Sequence, residues 1–323
     1  MESIDFIIIL LFFVVFGLGI FLVFLVFIPD TTVYEANKNS EQNFKDESLK
    51  LSERVFGSVQ QFYPNIRFPE KEITYALDPA CDTKKEENII TAFSILSAKT
   101  VLKFIPEMGK KEPRIRVLCS DISPNSDKRG HFVAGEGGPS ELVNVSEYYV
   151  ILESKISLYR TDSCSEPKVA LHEILHALGF NHTSDSQSIM YPISFCNQQL
   201  DESIIQEINR LYSVPSYPDL TIDSVNVNRV GSYLMFQINV SNVGFYPVYE
   251  ANVSVYENGK FIKSFSLTDY PLPIGSTKIL SVKNLKVSKD STNFEFFVES
   301  YNPRSEIRVD NNRMEVVLEK NVK

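Results

Sequence analysis

The sequence predicts an α+β domain followed by an all-β sandwich, with one transmembrane helix preceding both. Three observations support this order. A run without charged residues lies near the N-terminus, helical and alternating apolar patterns follow one another in the middle of the chain, and alternation with a period of two dominates the last third. At 323 residues, the chain has the length of two ordinary domains.

The N-terminal run extends from Phe6 to Ile28 and contains 23 residues. As a helix it would be about 34 Å long, which is enough to cross a hydrocarbon core of about 30 Å. A cleaved signal peptide is the alternative, but its apolar part would be only about 7–15 residues long and would end in small residues. We therefore expect residues 1–29 to be an uncleaved transmembrane anchor.

Composition excludes several classes of protein. Hydrophobic residues make up 43% and charged residues 23% of the chain, which rules out a wholly disordered protein. The net charge of −9 leaves no basic footprint for phosphate contacts, so nucleic acid is not expected as a partner.

The orientation of the chain in the membrane has conflicting signals. Lys38 and Lys45 after the anchor weakly favour an orientation with the bulk of the chain in the cytoplasm. Four cysteines and four N-glycosylation triplets favour the opposite orientation, with the bulk of the chain outside the cell, and this is the orientation we expect.

Residues 30–68 are polar and mixed in charge, as in a stem between a membrane and a domain. Residues 69–214 alternate between strand-like and helical periodicity, which is typical of an α+β domain. Within them, Pro167 is suited to open a helix and Gly179 to end it. A final helix is predicted to begin at Ser203, where Ser-Ile-Ile-Gln fits a capping box.

The stretch from His172 to His182 carries the chemistry. His172 and His176 are four residues apart, so a helix places both imidazoles on one face, within reach of one metal ion. His182 can reach the same ion only if the chain turns, and Gly179 can adopt the positive φ that this requires. Three nitrogens then leave a fourth position open for water, and Glu173 is placed to take a proton from it.

This stretch resembles the H-E-x-x-H-x-x-G-x-x-H signature of the metzincin zinc proteases. Ser188-Ile189-Met190-Tyr191-Pro192 is similar to their Met-turn, and its Met-Tyr-Pro form is similar to that of the matrixins. The resemblance covers residues 69–213. It implies one catalytic Zn²⁺, Glu173 as the general base, a protein or peptide substrate, and Met190 packed beneath the zinc.

The same resemblance implies that the substrate lies extended against an edge strand that precedes the active-site helix. His131, Val133, Gly135 and Tyr191 are the candidate substrate-binding residues. His131 is also the single histidine outside the motif, so a second, structural zinc is not expected. Nothing in the sequence indicates structural calcium, and no inhibitory Pro-Arg-Cys-Gly motif precedes the domain.

The four cysteines allow three pairings. The resemblance requires the segments that carry Cys164 and Cys196 to converge under the zinc. We therefore favour Cys164–Cys196 and Cys81–Cys119. Four buried free thiols are the alternative.

Residues 217–321 form the second predicted domain, separated from the first by a proline-rich break. Seven alternating runs predict a β-sandwich. Pro218-Asp219-Leu220, Glu306 and Asp310-Asn311-Asn312 resemble the CARDB module of prokaryotic surface proteins. That resemblance implies an immunoglobulin-like sandwich with a binding or spacing role.

These observations predict a zinc endopeptidase held in the cell membrane by a single span, with both domains outside the cell. A surface adhesion protein with an inactive metzincin scaffold is the main alternative, and a metallohydrolase acting on another substrate is a third. Glu173 and all three histidines are present, which favours the enzyme. Residues 30–214 alone are expected to cleave small peptides. The natural substrate and the oligomeric state are not predicted.

Overall fold

The computed structural model describes residues 59–319, with gaps at 110, 126–131, 162–163, 268–270 and 302–304. The predicted anchor and most of the predicted stem lie outside the described residues. Within the described part, no helix has both the length and the apolar composition needed to cross a membrane.

The first domain contains six strands and three helices among its described residues. In chain order they are β1 (Ile66–Arg67), β2 (Glu72–Leu77), α1 (Thr83–Lys99), β3 (Lys103–Pro106), β4 (Ile115–Cys119), β5 (Gly135–Val145), β6 (Tyr148–Leu158), α2 (Lys168–Ala177) and α3 (Glu202–Leu211). The domain is α+β, as the sequence predicts.

One sheet organises this domain. Its strand order is β5–β6–β4–β2–β3, and β1 pairs with the first residues of β6. Strands β1 to β4 and β6 are parallel, whereas β5 is antiparallel to β6. Among the described strands β5 pairs with β6 alone, so it forms an edge of the sheet. Helix α2 packs against β5, β6 and α1, which places the histidine motif beside that edge.

The last ten residues of the predicted stem belong to the fold. Ile66 and Phe68 are 0% and 1% exposed and lie in the core of the first domain. Further upstream, Gln61 forms an antiparallel bridge with Phe180. The chain therefore enters the domain alongside the segment that follows α2.

The predicted capping box at Ser203 is wrong. Helix α3 begins one residue earlier, at Glu202, and its N-cap is Asp201. The Asp201 side chain does not cap the helix, because one of its carboxylate oxygens accepts a hydrogen bond from the Ser188 hydroxyl at 2.6 Å. This contact ties α3 to the predicted Met-turn.

Two disulfides staple the first domain, and they are the two favoured pairs. Cys81–Cys119 joins the loop before α1 to the end of β4. Cys164–Cys196 joins the entry to α2 to the segment after the Met-turn. No cysteine in the described part of the chain is free.

In its described residues the second domain is a sandwich of seven strands, as the alternation predicts. These are β7 (Leu220–Val230), β8 (Tyr233–Asn242), β9 (Ala251–Glu257), β10 (Lys260–Ser266), β11 (Thr277–Lys286), β12 (Asn293–Ser300) and β13 (Arg313–Val317). One sheet has the order β10–β9–β12–β13 and the other β11–β8–β7. Alternate residues of both sheets fill the core between them.

The two domains share a small apolar cluster. Val145 and Val150, at the closed end of the β5–β6 hairpin, are buried together with Phe245 of the second domain. Packing at this contact is tight, because a Cβ atom added to Gly275 would lie only 2.1 Å from a methyl group of Val143. The hairpin therefore has one end in the domain interface and the other end, at Gly135, near α2.

A buried arginine lies at the same junction. Arg67 is 1% exposed, and its guanidinium donates to the carbonyl oxygens of Leu211 and Val214 at 2.6 and 3.0 Å. The guanidinium carbon lies 4.4 Å from the ring centroids of both Tyr212 and Phe245. These contacts join the first strand, the end of α3 and the second domain.

Candidate active site

Helix α2 and the turn after it bring three histidines together. The helix spans Lys168–Ala177 and follows Pro167, so His172 and His176 lie on one face. Gly179 then adopts φ +96°, a conformation that side-chain-bearing residues rarely adopt. We call Gly179–His182 the ligand turn, because it reverses the chain and returns His182 to the helix.

The three imidazoles converge on one point. The Nε2 atom of His182 lies 3.2 Å from Nε2 of His172 and 3.1 Å from Nε2 of His176. One ligand atom from each of the three lies within 4.8 Å of the others. This arrangement matches the three-nitrogen donor set that a zinc ion with an open position requires.

Carbonyl groups fix the tautomers of two of these rings. Nδ1 of His172 lies 2.6 Å from the carbonyl oxygen of Ile189, and Nδ1 of His176 lies 2.8 Å from that of Phe180. A carbonyl oxygen only accepts hydrogen bonds, so we assign the proton of each ring to Nδ1. Each Nε2 then presents a lone pair to the point of convergence, which a cation satisfies.

The predicted Met-turn supplies one of these carbonyls. Met190 is 1% exposed, and its backbone N–H donates to the Ser188 hydroxyl at 3.0 Å. Its carbonyl oxygen accepts from the backbone N–H of Thr183 at 3.0 Å, directly after the ligand turn. The Met-turn therefore aligns Ile189 with His172 and also supports the chain that carries His182.

Burial keeps the three rings neutral. It lowers the pKa of His172 to about 3 and that of His176 to about 4, and it lowers the pKa of His182 as well. Neutral imidazole is the form that binds metal ions. At neutral pH all three rings are therefore ready to act as ligands.

Glu173 lies beneath the edge strand and is 6% exposed. Burial, with a smaller contribution from the charge of Glu136, raises the pKa of the Glu173 carboxyl to about 8. Two glycines of β5 make room for it. A Cβ atom at Gly135 would lie 2.7 Å from Cγ of Glu173, and one at Gly137 would lie 2.2 Å from its backbone oxygen. The strand therefore crosses directly over the carboxyl-bearing residue.

Comparison with known proteins finds a family model that matches the first domain. Residues 67–213 match the family model for the matrixins. These residues form a matrixin-like domain. The match indicates a zinc metalloprotease, and the three histidines fit its zinc site. No curated protein matches the chain.

Solved structures resemble about a third of this chain. The CARDB domain of a Pyrococcus furiosus protein, in complex with di-metal ions, is 22% identical, with a TM-score of 0.27. The match covers 32% of this chain and 87% of that one. A putative cell surface protein domain from Methanosarcina acetivorans is 17% identical, with a TM-score of 0.26. This second match covers 33% of this chain and 95% of that one.

The candidate substrate-binding residues of the matrixin-like domain fall in different places. Gly135 begins the edge strand next to Glu173. Val133 is two residues upstream and partly exposed, as is Tyr191 in the Met-turn. His131 lies outside the described residues. The roles of these residues in substrate binding stay predictions.

Sequence reasoning missed several contacts of the matrixin-like domain. The carbonyls of Ile189 and Phe180 left no signal, because every residue has such a group. Gly137 belongs to a glycine-rich stretch, and that stretch was the available sign of a close approach. The ring of Phe62, which stacks on His176, lies in a segment that the sequence assigns to the stem.

Proposed function

We propose that the chain is a membrane-anchored, extracellular zinc-dependent endopeptidase. The observation that carries this proposal is the convergence of three imidazoles, in which Nε2 of His182 lies 3.1–3.2 Å from those of the other two, beside the buried Glu173 on helix α2. The matrixin match of residues 67–213 supports the same chemistry.

The residues of the site have two roles, metal binding and proton transfer. His172, His176 and His182 would hold the ion. When bound, zinc lowers the pKa of a water molecule and polarises the scissile carbonyl. Glu173 accepts a proton from the attacking water and passes it to the leaving amine. A cation beside Glu173 favours the ionised carboxylate, which lowers its pKa from the value of about 8 in the metal-free protein.

The edge strand β5 supports the choice of a peptide substrate. Strands offer backbone N–H and C=O groups along a free edge, and an extended peptide can add to such an edge as a further strand. Gly135, at the start of β5, lies against Glu173. A peptide laid along this part of the strand would therefore have a backbone carbonyl close to the catalytic glutamate.

Two substitutions test the chemistry in the full-length protein purified in detergent. His176→Ala should lose stoichiometric zinc, measured by elemental analysis, because one of three ligands is gone. Glu173→Ala should keep the zinc but lose peptide cleavage by several orders of magnitude. Glu87→Ala is the control, since Glu87 is exposed on α1 and pairs with Lys84.

The result also separates the proposal from its alternative. A surface adhesion protein with an inactive scaffold would bind zinc through the same histidines but cleave nothing. Cleavage of a peptide library by the wild type that disappears with a chelator supports the enzyme. Zinc binding without any cleavage supports the inactive scaffold, and near wild-type cleavage by Glu173→Ala refutes the assigned mechanism.

The membrane topology has its own test. The uncharged run from Phe6 to Ile28 and the two disulfides support an anchored chain with its domains outside the cell. Protease added to intact cells should then remove both domains, while a cytoplasmic marker protein stays intact. Full protection of the domains would refute this orientation.

A further inference from the structure

The segment before the matrixin match contacts the zinc site. We call residues 59–62 the entry segment; it lies upstream of residue 67, where the match begins. Its backbone pairs with the ligand turn, because Asn181 N–H donates to the carbonyl of Gln60 at 2.8 Å and Phe62 N–H donates to that of Gly179 at 2.9 Å. These two bonds hold Gly179 and Asn181 of the ligand turn against the entry segment.

An aromatic ring adds a direct contact with a ligand. The ring of Phe62 stacks on the imidazole of His176, with centroids 5.7 Å apart and an angle of 24° between the planes. The carbonyl oxygen of Phe180 lies 2.8 Å from Nδ1 of the same imidazole and accepts a hydrogen bond from it. The orientation of this imidazole is thus set by a hydrogen bond in its plane and by a ring against its face.

The first two residues of the entry segment pack under the same turn. Val59 and Gln60 line a cavity of about 340 Å³ together with Phe180 and Met190. Val59 also packs against the core of the first domain. The entry segment therefore contacts the ligand turn, a zinc ligand and the residues around the Met-turn.

From these contacts we infer that Phe62 is a positioning residue for the zinc ligand His176, and that the entry segment holds the turn that carries His182. The inference rests on the proposed zinc site. Removal of groups that orient metal ligands costs roughly 10- to 100-fold in metal affinity in known sites. The Phe62 ring acts on one ligand through stacking alone, so the lower end of that range is expected.

The neighbouring aromatic residue provides a matched control. Tyr63 is next in the chain and is similarly exposed, at 44% against 38% for Phe62. Its ring stacks on Tyr149 instead, at a centroid distance of 4.6 Å, and Tyr149 is not a ligand. Both changes to alanine remove a partly exposed stacked ring, but only one of the rings contacts a zinc ligand.

The experiment measures zinc affinity in the full-length protein by competition with a fluorescent zinc chelator. Phe62→Ala should weaken zinc binding by roughly 10-fold, whereas Tyr63→Ala should change it by less than about 2-fold because its contact lies outside the site. Phe62→Tyr keeps a ring and should restore the affinity. Phe62→Leu keeps an apolar side chain without a ring and should not. Circular dichroism of the metal-free proteins checks that each variant is folded.

Kinetics at saturating zinc give the second readout. A positioning role predicts that Phe62→Ala lowers kcat more than it raises KM. A raised KM with unchanged zinc affinity would show that Phe62 contacts substrate, which overturns the inference. Equal zinc affinity of the wild type and Phe62→Ala also overturns it and leaves the proposed function intact. Failure of the wild type to bind zinc refutes the proposed function itself.

Discussion

A single methyl group on the edge strand should disturb the active site. In Gly137→Ala the new Cβ atom would lie 2.2 Å from the backbone oxygen of Glu173, whereas ordinary contacts begin at 3.4 Å. Strand β5 or helix α2 must therefore move by about 1.2 Å to reach a normal contact. Gly137 does not have a positive φ, so alanine fits the local backbone and the change isolates this contact.

The size of the effect follows from that movement. Helix α2 carries His172, Glu173 and His176, whereas His182 is held by the ligand turn, so a shift of α2 changes the distances between them. A displacement of about 1 Å in a catalytic group costs about 100-fold in rate. Overpacking of this kind costs about 1–3 kcal/mol in the free energy of unfolding. We therefore expect kcat/KM to fall about 100-fold while the protein stays folded.

The next residue of the same strand is the control. A Cβ atom at Gly138 would meet nothing within 4 Å, so Gly138→Ala should change the free energy of unfolding by less than about 0.5 kcal/mol. Steady-state kinetics on a chelator-sensitive peptide, with urea denaturation of both variants, make the comparison. If Gly137→Ala cleaves within about 2-fold of wild type, the close packing of strand on helix does not position the catalytic groups, and the reasoning from the structure is wrong.

Three further predictions concern the metal, a disulfide and the domain interface. Removal of zinc by a chelator should lower the melting temperature. The loss corresponds to about 4 kcal/mol in the free energy of unfolding if free zinc was 1,000 times its Kd. In a thermal shift assay, added zinc but not magnesium should restore the melting temperature. Replacing Cys164 and Cys196 by serine should lower the free energy of unfolding by about 3–4 kcal/mol, since the bridge closes a loop across 32 residues, as urea denaturation would reveal. Phe245→Ala should cost about 3–5 kcal/mol. A chain ending at residue 214 lacks the same ring and should unfold at a lower temperature than the full-length protein; equal thermal stability would show that the interface contributes nothing.

Much of the site could be predicted because its determinants are local. The spacing of His172 and His176 fixes one helix face, and a glycine is required where the chain reverses towards His182. The seven strands of the second domain were also predictable, because alternation in sequence maps directly onto alternation between core and solvent in a sandwich.

Contacts between distant parts of the chain could not be predicted in this way. The local pattern predicts Ser203 as the cap of α3, but the N-cap is Asp201, whose carboxylate accepts a hydrogen bond from Ser188 of the Met-turn. No pattern in the sequence indicates this contact. The interface cluster around Phe245 could not be predicted either, because the sequence does not distinguish an apolar residue in the core of its own domain from one that contacts another domain. Activity of residues 30–214 alone stays a prediction.

The position of Arg67 has a consequence for how the protein is made. It lies at the start of the first domain, yet its carbonyl acceptor on Val214 is 147 residues away along the chain, and the ring of Phe245 is further still. A buried guanidinium without its partners is costly, so the first strand cannot settle into its final packing early in synthesis. At an elongation rate of about 5–20 residues per second, Val214 is made roughly 7–30 seconds after Arg67, and Phe245 roughly 9–36 seconds after it. During that interval the first domain of the nascent chain is incomplete. The packing around Arg67 is complete only when Phe245 of the second domain has been made.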